Sequence, residues 1–492
     1  MALTIGLDVA RSSLAATAEQ ISVVSRNVSL AGVANGARKT AAVITGPGGN
    51  VTVSRIARAT DDLLLDKALS SNSSAQTGKA IASALEKLQA TVDDTDQERS
   101  PAALIGKLSD ALQTYSANPS NVASALSAVS AAKDLGASLN SASAAVADVR
   151  RQADADIAAS VARVNGLLQQ FSQLNKEVVS GTRTGRDVTD QLDARDAVLK
   201  DLSSEIGIRT LQRADGDLAI FTESGVTMFD GSAREVSFSP SGSLPSGQLG
   251  APVYVDGVPV AGTPQVMAIK NGKIAGLVAV RDHVAPSYEA KLDEIARGLI
   301  EAFAEHDQSA VPILPAAAGL FTYSGSPAVP ASGTLIVGLA GDIRINANAD
   351  PDQGGQPLRL RDGGISSPAN PAYNYNPAGA ASSSDRIQQL ISQIEVRRPF
   401  DPSAGLGNSQ SVAGFASAAV SALEAERSSV SRDASYRQVV GERAASALSK
   451  VTGVNLDEEM TRMLELERTY QASARLLTAI DGLLGTLLDS VR

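Results

Sequence analysis

The sequence has no cysteine and no tryptophan, only two histidines, and 3% aromatic residues among 492. Without cysteine there is no disulfide, no thiol nucleophile and no sulfur-ligated metal site. His283 and His306 are the only imidazoles, which starves general-base and zinc chemistry. Few aromatics leave the core to small and aliphatic side chains, a composition better suited to long, closely packed helices than to aromatic-lined pockets. Positive charge is not in excess either: 43 Lys and Arg stand against 53 Asp and Glu, a net of -10. A nucleic-acid surface or a polybasic membrane anchor needs that excess, so both are excluded. No run reaches about 18 uninterrupted apolar residues, so no membrane-spanning helix is expected. Asp8, Arg11 and Glu19 interrupt the N-terminal stretch and no basic segment precedes it, so it does not read as a cleavable signal peptide. Such a chain is cytosolic, or leaves the cell by a route that ignores such signals.

Motifs for catalysis are scarce. His283 follows Asp282 and His306 precedes Asp307, but no third ligand and no G-x-S-x-G elbow accompanies them, and they read as surface or partly buried residues. Asn346, Asn348, Asp350 and Asp352 alternate like the ligands of a calcium loop. Pro351 or Gln353 then falls where that loop requires glycine, and Pro357 or Arg359 where it requires glutamate, so a polar loop is expected. Asp93, Asp94, Asp96 and Glu98 read as a solvated connection, Arg397-Arg398 as a small basic spot, and no phosphate-cradling glycine loop is present. No catalytic residue, cofactor or metal is expected.

What is present is organised by proline. Seventeen of 20 prolines lie between Pro240 and Pro402, and none follows. Proline is excluded from helix interiors, so the flanks should be helical and the middle should be strands, turns and loops. Helices are predicted over 4–29, 60–93, 101–116, 122–180, 188–205, 286–306, 383–396, 410–450 and 456–490. The apolar stripe Val146, Val149, Ile157, Val161, Val164, Leu168, Phe171, Leu174, Val178 runs along the longest of these, which would be about 90 Å long. Strands are predicted at 50–55 and 334–338, a strand and turn over 217–225, and a hairpin around Asp256-Gly257. Between the first helix and the strand at 50–55, Gly32, Asn35-Gly36 and Gly46-Pro47-Gly48-Gly49 read as turns.

Both chain ends carry a seven-residue repeat. Leu7, Leu14, Ile21 and Val28 form one row, with Ala10, Thr17 and Val24 three residues behind. At the other end Leu456, Met463, Tyr470, Leu477, Leu484 and Val491 repeat likewise, with Leu466, Ile480 and Leu487 in the second row, which Ser473 breaks. Such a repeat keeps one stripe facing a partner helix. The two ends can pair with each other alone, or with other subunits as well, and ends that order only on assembly fit both.

Two local patterns go further. Ser25-Arg-Asn-Val-Ser29 closes the first helix and leads to Arg38; Gly453-Val-Asn-Leu-Asp-Glu-Glu459 opens the last, where Asn455 or Asp457 can cap the helix. Together they resemble the flagellar axial proteins, most closely the hook-associated protein 1 family. That family's first helix ends in S-N-N-I-S-N before a G-Y-x-R turn; Ser25, Asn27, Val28, Ser29 and Arg38 match, while Arg26, Leu30, Asn35 and Gly36 depart. The G-V-N-L-D-E-E run matches in full. Leu192-Asp-Ala-Arg-Asp196 resembles the family's L-D-Q-R-D helix, 271–281 its G-x-L-x-G-L-x-x-x-R strand, and Ile345-Asn346 with Asp350-Pro351 its I-N-x-x-x-D-P element.

The resemblance implies a structural protein of the bacterial flagellum at the hook–filament junction, exported unfolded through the type III channel with a cytosolic chaperone. Its partners would be further copies in a ring, the hook protein, hook-associated protein 3 or another filament-side protein, and the export chaperone and apparatus. The expected fold is α+β and elongated, a long antiparallel helical bundle or coiled coil formed by both chain ends with an inserted β-rich outer region. Residues 1–50 with 445–492 would form the inner domain, 51–207 with 383–444 a helical rod, and 208–382 the outer region. The expected assembly interface comprises Leu7, Leu14, Ile21, Asn27, Val28 and Arg38 with Val454, Asn455, Leu456, Met463, Tyr470, Leu477, Ile480 and Leu484. Rival readings are hook-associated protein 3 or a flagellin-like axial protein, a flagellum-linked cell-wall hydrolase, and a coiled-coil adaptor, which would not require the β-rich middle.

Overall fold

A computed structural model describes residues 2–33, 36–92, 99–262 and 265–491. Asn35 and the acidic segment 93–98 lie outside the described residues, as do the side chains of Leu487 and Val491. The chain runs α1 (Ala2–Leu30), β1 (Lys39–Thr45), β2 (Val51–Arg58), α2 (Asp62–Gln89), α3 (Pro101–Ala117), α4 (Val122–Arg183) and α5 (Thr189–Glu205). The middle adds β3 (Ile208–Gln212), β4 (Leu218–Thr222), β5 (Thr227–Phe229), β6 (Val236–Ser237), β7 (Val253–Val255), β8 (Val258–Ala261), α6 (Lys273–Ala279), α7 (Ala285–Ala302), β9 (Phe321–Thr322), α8 (Leu339–Asp342), β10 (Arg344–Ile345) and α9 (Arg359–Asp362). It closes with α10 (Asp385–Glu395), β11 (Arg398–Pro399), β12 (Ser409–Gln410), α11 (Val412–Thr452) and α12 (Leu456–Val491). The molecule is an elongated α+β protein whose strands pair antiparallel in small sheets.

The helices start where short polar side chains can accept the free N–H groups of the first turn. Asp61 accepts from Leu64 at 2.9 Å, Ser100 from Ala103 at 3.1 Å ahead of Pro101, Asn121 from Ala123 at 2.9 Å, and Ser411 from Gly414 at 3.1 Å. The 62 residues of α4 give a rod of about 93 Å at 1.5 Å per residue. Its predicted apolar stripe is buried except at Leu174. Antiparallel to one another, α2 and α11 approach closely because small residues face each other: a Cβ on Gly78 would lie 3.1 Å from the Ala434 Cα.

Two expectations fail. Residues 271–281 do not form a strand: α6 passes through a π-turn at Val280–Val284 into α7, one helical rod from Lys273 to Ala302. Ile274, Leu277, Val278 and Val280 are all buried, and a short run that is apolar all round has no period to separate helix from strand. Pro286 sits in the first turn of α7, where its missing N–H costs nothing. Residues 334–338 form no strand either. Asp401 accepts from Leu335 N–H at 2.9 Å and Asp293 from Gly338 N–H at 2.8 Å, so carboxylates take donors that a ladder would have used. The strand at 50–55 pairs with β1, which lies between the expected turns. The expected hairpin forms, with Asp256 at φ 51° and Gly257 at φ 76°, the left-handed pair of a type I′ turn.

Residues 208–382 share the core of the rod. One apolar cluster extends from Leu69 to Leu423 and includes Ile220, Phe229, Val255, Leu292, Leu299 and Phe321. Buried on all sides, α7 brings Glu289, Asp293, Glu294 and Arg297 in with it. Arg297 bonds Glu294 and Glu301, each at 2.8 Å, and the Pro399 carbonyl at 2.7 Å. Polar side chains of α4 fasten the middle region at intervals. Asn140 donates to the Ala340 carbonyl at 2.8 Å; Arg150 donates to the Arg281 and Pro245 carbonyls at 3.0 and 3.1 Å. Asn165 both donates to the Val236 carbonyl at 2.7 Å and accepts from its N–H at 3.0 Å. Asn175 donates to Asp217 at 2.6 Å and accepts from Leu218 N–H at 3.2 Å. Arg281, the arginine of the 271–281 segment, is fully buried between Asp154 and Asp282 at 2.7 and 2.8 Å.

Replacing Asn165 with alanine leaves both Val236 backbone groups without this partner. The expected loss is about 1–3 kcal/mol, read as a lower urea midpoint with unchanged slope.

Candidate assembly interface

The chain ends meet as an antiparallel helix pair. Ser13 of α1 and Ser473 of α12 lie 3.3 Å apart at their hydroxyls, and Gly6 faces Ile480. The β1–β2 hairpin lies along α1, where Ser12 accepts from Val51 N–H at 3.0 Å. Within α1, the second seam row, Ala10, Thr17 and Val24, is fully buried, while Leu7, Leu14, Ile21 and Val28 are half-buried. On α12, Met463, Leu466, Leu477, Ile480 and Leu484 are half-buried against α1. Val454 is half-buried before the helix; Asn455, Leu456 and Tyr470 are exposed. Asn455 caps α12, accepting from Asp457 N–H at 3.1 Å.

Among the described residues of α12 the only buried side chain is an acid, Glu459. Asn27 of α1, also buried, donates to it at 2.9 Å, and Arg38 donates at 2.7 Å from the loop between α1 and β1. Asn27 also pairs with the Lys39 backbone, donating to its carbonyl at 2.8 Å and accepting from its N–H at 2.9 Å. Arg38 N–H donates to the Thr452 carbonyl at 2.7 Å, fixing the end of α11. One asparagine, one arginine and one glutamate thus tie together α1, the hairpin, α11 and α12.

Beside this knot lies a ladder of charge. Four aspartates spaced by three residues, Asp187, Asp190, Asp193 and Asp196, run from just before α5 into its middle. Three cations stand between them. Arg26 reaches Asp187 and Asp190, each at 2.9 Å; Lys39 reaches Asp190 and, at 3.3 Å, Asp193; Arg58 reaches Asp193 at 3.1 Å and Asp196 at 2.7 Å. Lys39 is fully buried and Asp190 is 65% exposed, so the ladder runs from a sheltered end at Arg58 to a wet one at Arg26. Bonds to Asp187 hold the Arg26 guanidinium above its ordinary value. Burial pushes Asp187 up, but its bonds to Arg26 and Thr189 outweigh this and the net direction is down. The Lys39 ammonium, then Arg26, hold Asp190 down. Asp196 runs the other way, because burial raises it more than Arg58 lowers it.

Three segments singled out by the sequence therefore converge: Ser25–Ser29 with Arg38, Leu192–Asp196, and Gly453–Glu459. Lys39, Arg58, Asp187 and Asp190 were missed; the three-residue spacing of the aspartates was the available signal. Elsewhere, His283 and His306 are exposed. Lys133 occupies the calcium-like loop, with its ammonium 3.2 Å from Asp350 and 2.6 Å from Asp352. Among the described residues no three acidic or histidine side chains are placed to share a metal, and no helix is long and apolar enough to cross a membrane.

Comparison with known proteins gives several matches. The family model described as the flagellar hook-associated protein FlgK helical domain matches residues 72–313, and that of the flagellar basal body rod FlgEFG protein C-terminal matches 447–490. Flagellar hook-associated protein 1 of Bacillus subtilis is 24% identical over 447 residues, 85% of this chain and 82% of that protein. The Escherichia coli protein of the same name is 27% identical over 187 residues, 37% of this chain and 34% of its own length. Among solved structures, the flagellar hook junction protein FlgK from Burkholderia pseudomallei covers 53% of this chain and 47% of its own, at 19% identity and a TM-score of 0.43.

Asn27→Ala strands the buried Glu459 oxygen and the Lys39 backbone, a cost of about 1–3 kcal/mol; hydrogen exchange is expected to speed up over 456–470 while 122–183 is unchanged. The ladder also sets a pH dependence. Asp187 and Asp190 are held low, so the stability they supply is complete above the ordinary aspartate value of about 3.9 and is lost as pH falls through their lowered values. Asp196 contributes the opposite slope, its cost at neutral pH being relieved by acid. Replacing Asp187 and Asp190 together with asparagine should lower the melting temperature at pH 7, with the difference from the parent shrinking as the pH falls below the ordinary aspartate value of about 3.9.

Proposed function

Because the chain belongs to the flagellar hook-associated protein 1 family, we propose that it is a structural subunit joining hook to filament and built in through its paired terminal helices. The family is one of structural flagellar proteins, and its place is the flagellum. The single observation that carries the reading is the state of α12. It spans 36 residues, yet among the described residues none of its apolar side chains is fully buried, and Leu464, Leu476 and Leu483 remain 54%, 52% and 58% exposed. A helix of this kind takes most of its stability from what it packs against, and α1 covers one side only. Further copies of the chain supply the rest. Completing the burial of one such half-covered leucine contributes roughly 0.8–1.5 kcal/mol, half of what full burial of an exposed one would, repeated at every subunit of a ring.

In this reading Leu7, Leu14, Ile21 and Val28 with Met463, Tyr470, Leu477, Ile480 and Leu484 form the assembly seam. Asn27, Arg38 and the Val454-Asn455-Leu456 entry to α12 hold that seam in register. The pair from 1–50 and 445–492 faces the axis, the rod from 51–207 and 383–444 stands outside it, and 208–382 faces outward on the rod. The neighbours along the axis are the hook protein on one side and hook-associated protein 3 or another filament-side protein on the other. The chain reaches them by type III export, with a cytosolic chaperone, and works by assembly without catalysis.

Deleting 457–492 tests this. Cells carrying the truncated chain should build hooks and shed filament protein into the medium, as seen by electron microscopy and by immunoblots of the supernatant. Full filaments on such cells would overturn the junction role.

A further inference from the structure

Through its second half, α11 is covered on one side only. Residues 424–443 include no buried side chain. The face that carries Ala434 and Gly441 lies against α2: a Cβ on Gly78 would stand 3.1 Å from the Ala434 Cα, and one on Gly441 3.6 Å from the Ser71 carbonyl oxygen. On the opposite face Arg432, Tyr436, Val439 and Arg443 follow at steps of four, three and four residues, which sets them in one row. Tyr436 is 69% exposed, and Val439 is exposed beside it. Among the described residues Arg432 and Arg443 make no ion pair, whereas the neighbouring acids are engaged: Asp433 holds Arg437 at 2.7 Å and Glu442 accepts from Gln438 at 2.9 Å. Tyrosine and arginine are the residues that concentrate at the centres of protein interfaces.

The start of α2 offers the complement. Leu63 is 83% exposed, with Asp62 and Asp66 exposed along one flank and Lys67 on the other. Neither aspartate is in an ion pair among the described residues, and Asp66 accepts only from the Thr210 hydroxyl, at 3.2 Å. Within one chain the two features do not meet. Gly78 stands opposite Ala434 and Ser71 opposite Gly441, so Leu63 lies about ten residues, or about 15 Å, beyond the level of Val439.

We propose that this row of α11 docks on the start of α2 of a second copy of the chain. Leu63 of one copy enters between Tyr436 and Val439 of the next, and Arg432 and Arg443 close over it onto Asp62 and Asp66. The proposal rests on the reading of the chain as a subunit that packs against further copies, and it adds a contact on the rod, apart from the terminal helices. Charge favours this occupant. Two copies, each at a net of -10, repel one another, and an unpaired basic row is where an acidic neighbour can come close. The parts also correspond: an apolar side chain beside two acids meets an apolar pair set between two bases. The surface used on one copy differs from the surface used on the other, so the contact is heterologous and repeats from copy to copy.

Flagella isolated from cells whose only copy of the chain carries Tyr436→p-benzoylphenylalanine test this. On irradiation the chain should run as covalent dimers and higher multimers on a denaturing gel. Mass spectrometry of the linked peptides should place the new bond on residues 60–68 of another copy. A bond to the hook protein or to a filament-side protein, or no bond at all, overturns the contact. Charge reversal gives a second reading. Arg432→Glu with Arg443→Glu, or Asp62→Arg with Asp66→Arg, should shed severalfold more filament protein into the medium than the parent. All the reversals together should return shedding to the parent level, a recovery that chains unable to fold would not show. Reversed pairs that shed no more than the parent, or a combined variant that sheds as much as either pair, overturn the contact. The junction role survives those outcomes as long as the chain is present in the isolated flagella. Absence of the parent chain from them would overturn that role and this contact together.

Discussion

The burial of one face of α4 is the constraint on which the rest of the rod depends. A helix of 62 residues cannot bury its apolar stripe within a single layer, so α3, α5, α6 and α7 are laid against it in succession. The middle of the sequence, too poor in regular structure to make a core of its own, takes its order from the same surface. Asn140, Arg150, Asn165 and Asn175 give backbone groups of that region the partners that a longer sheet would have provided. Polar residues spaced along an apolar helix thus place irregular chain segments, and each placement is specific because a displaced amide would face a buried donor without an acceptor.

Cohesion is of two kinds. Inside the rod it is apolar, with buried arginines satisfied by carboxylates and carbonyls. At the base of the terminal helices it is polar, built from Asn27, Arg38 and Glu459, and from the alternating charges beside them. Buried ion pairs return little net stability over a well-packed apolar core, because desolvation offsets most of the attraction. They do discriminate against wrong registers, since any slip leaves charges unpaired. Where the two chain ends must meet after hundreds of intervening residues, that discrimination matters more than strength.

Much of this was legible in the sequence. The long helices were announced by their stripes and caps, and the pairing of the chain ends by two seven-residue repeats. The segments that meet at the polar knot were picked out by likeness to a family, with Asn27 and Arg38 named and Glu459 quoted as the last residue of its motif. What escaped has physical reasons. The segment 271–281 is an apolar run with no period to separate helix from strand, and its likeness to a family strand pointed away from the helix that it forms with the π-turn at Val280–Val284. The run at 334–338 has strand composition but spends its N–H groups on Asp293 and Asp401, partners at sequence distances that no local rule can see. Lys39, Arg58, Asp187 and Asp190 look like ordinary surface charges until α1, the hairpin and α5 are brought side by side.

The length of α1 gives its seating at the polar knot a mechanical meaning. Twenty-nine residues make a helix of about 44 Å. A tilt of roughly 7° at its base carries the far tip through about 5.4 Å, the height of one helical turn. The bonds of Asn27 and Arg38 to Glu459 therefore act at the short end of a lever whose long end is the tip of α1.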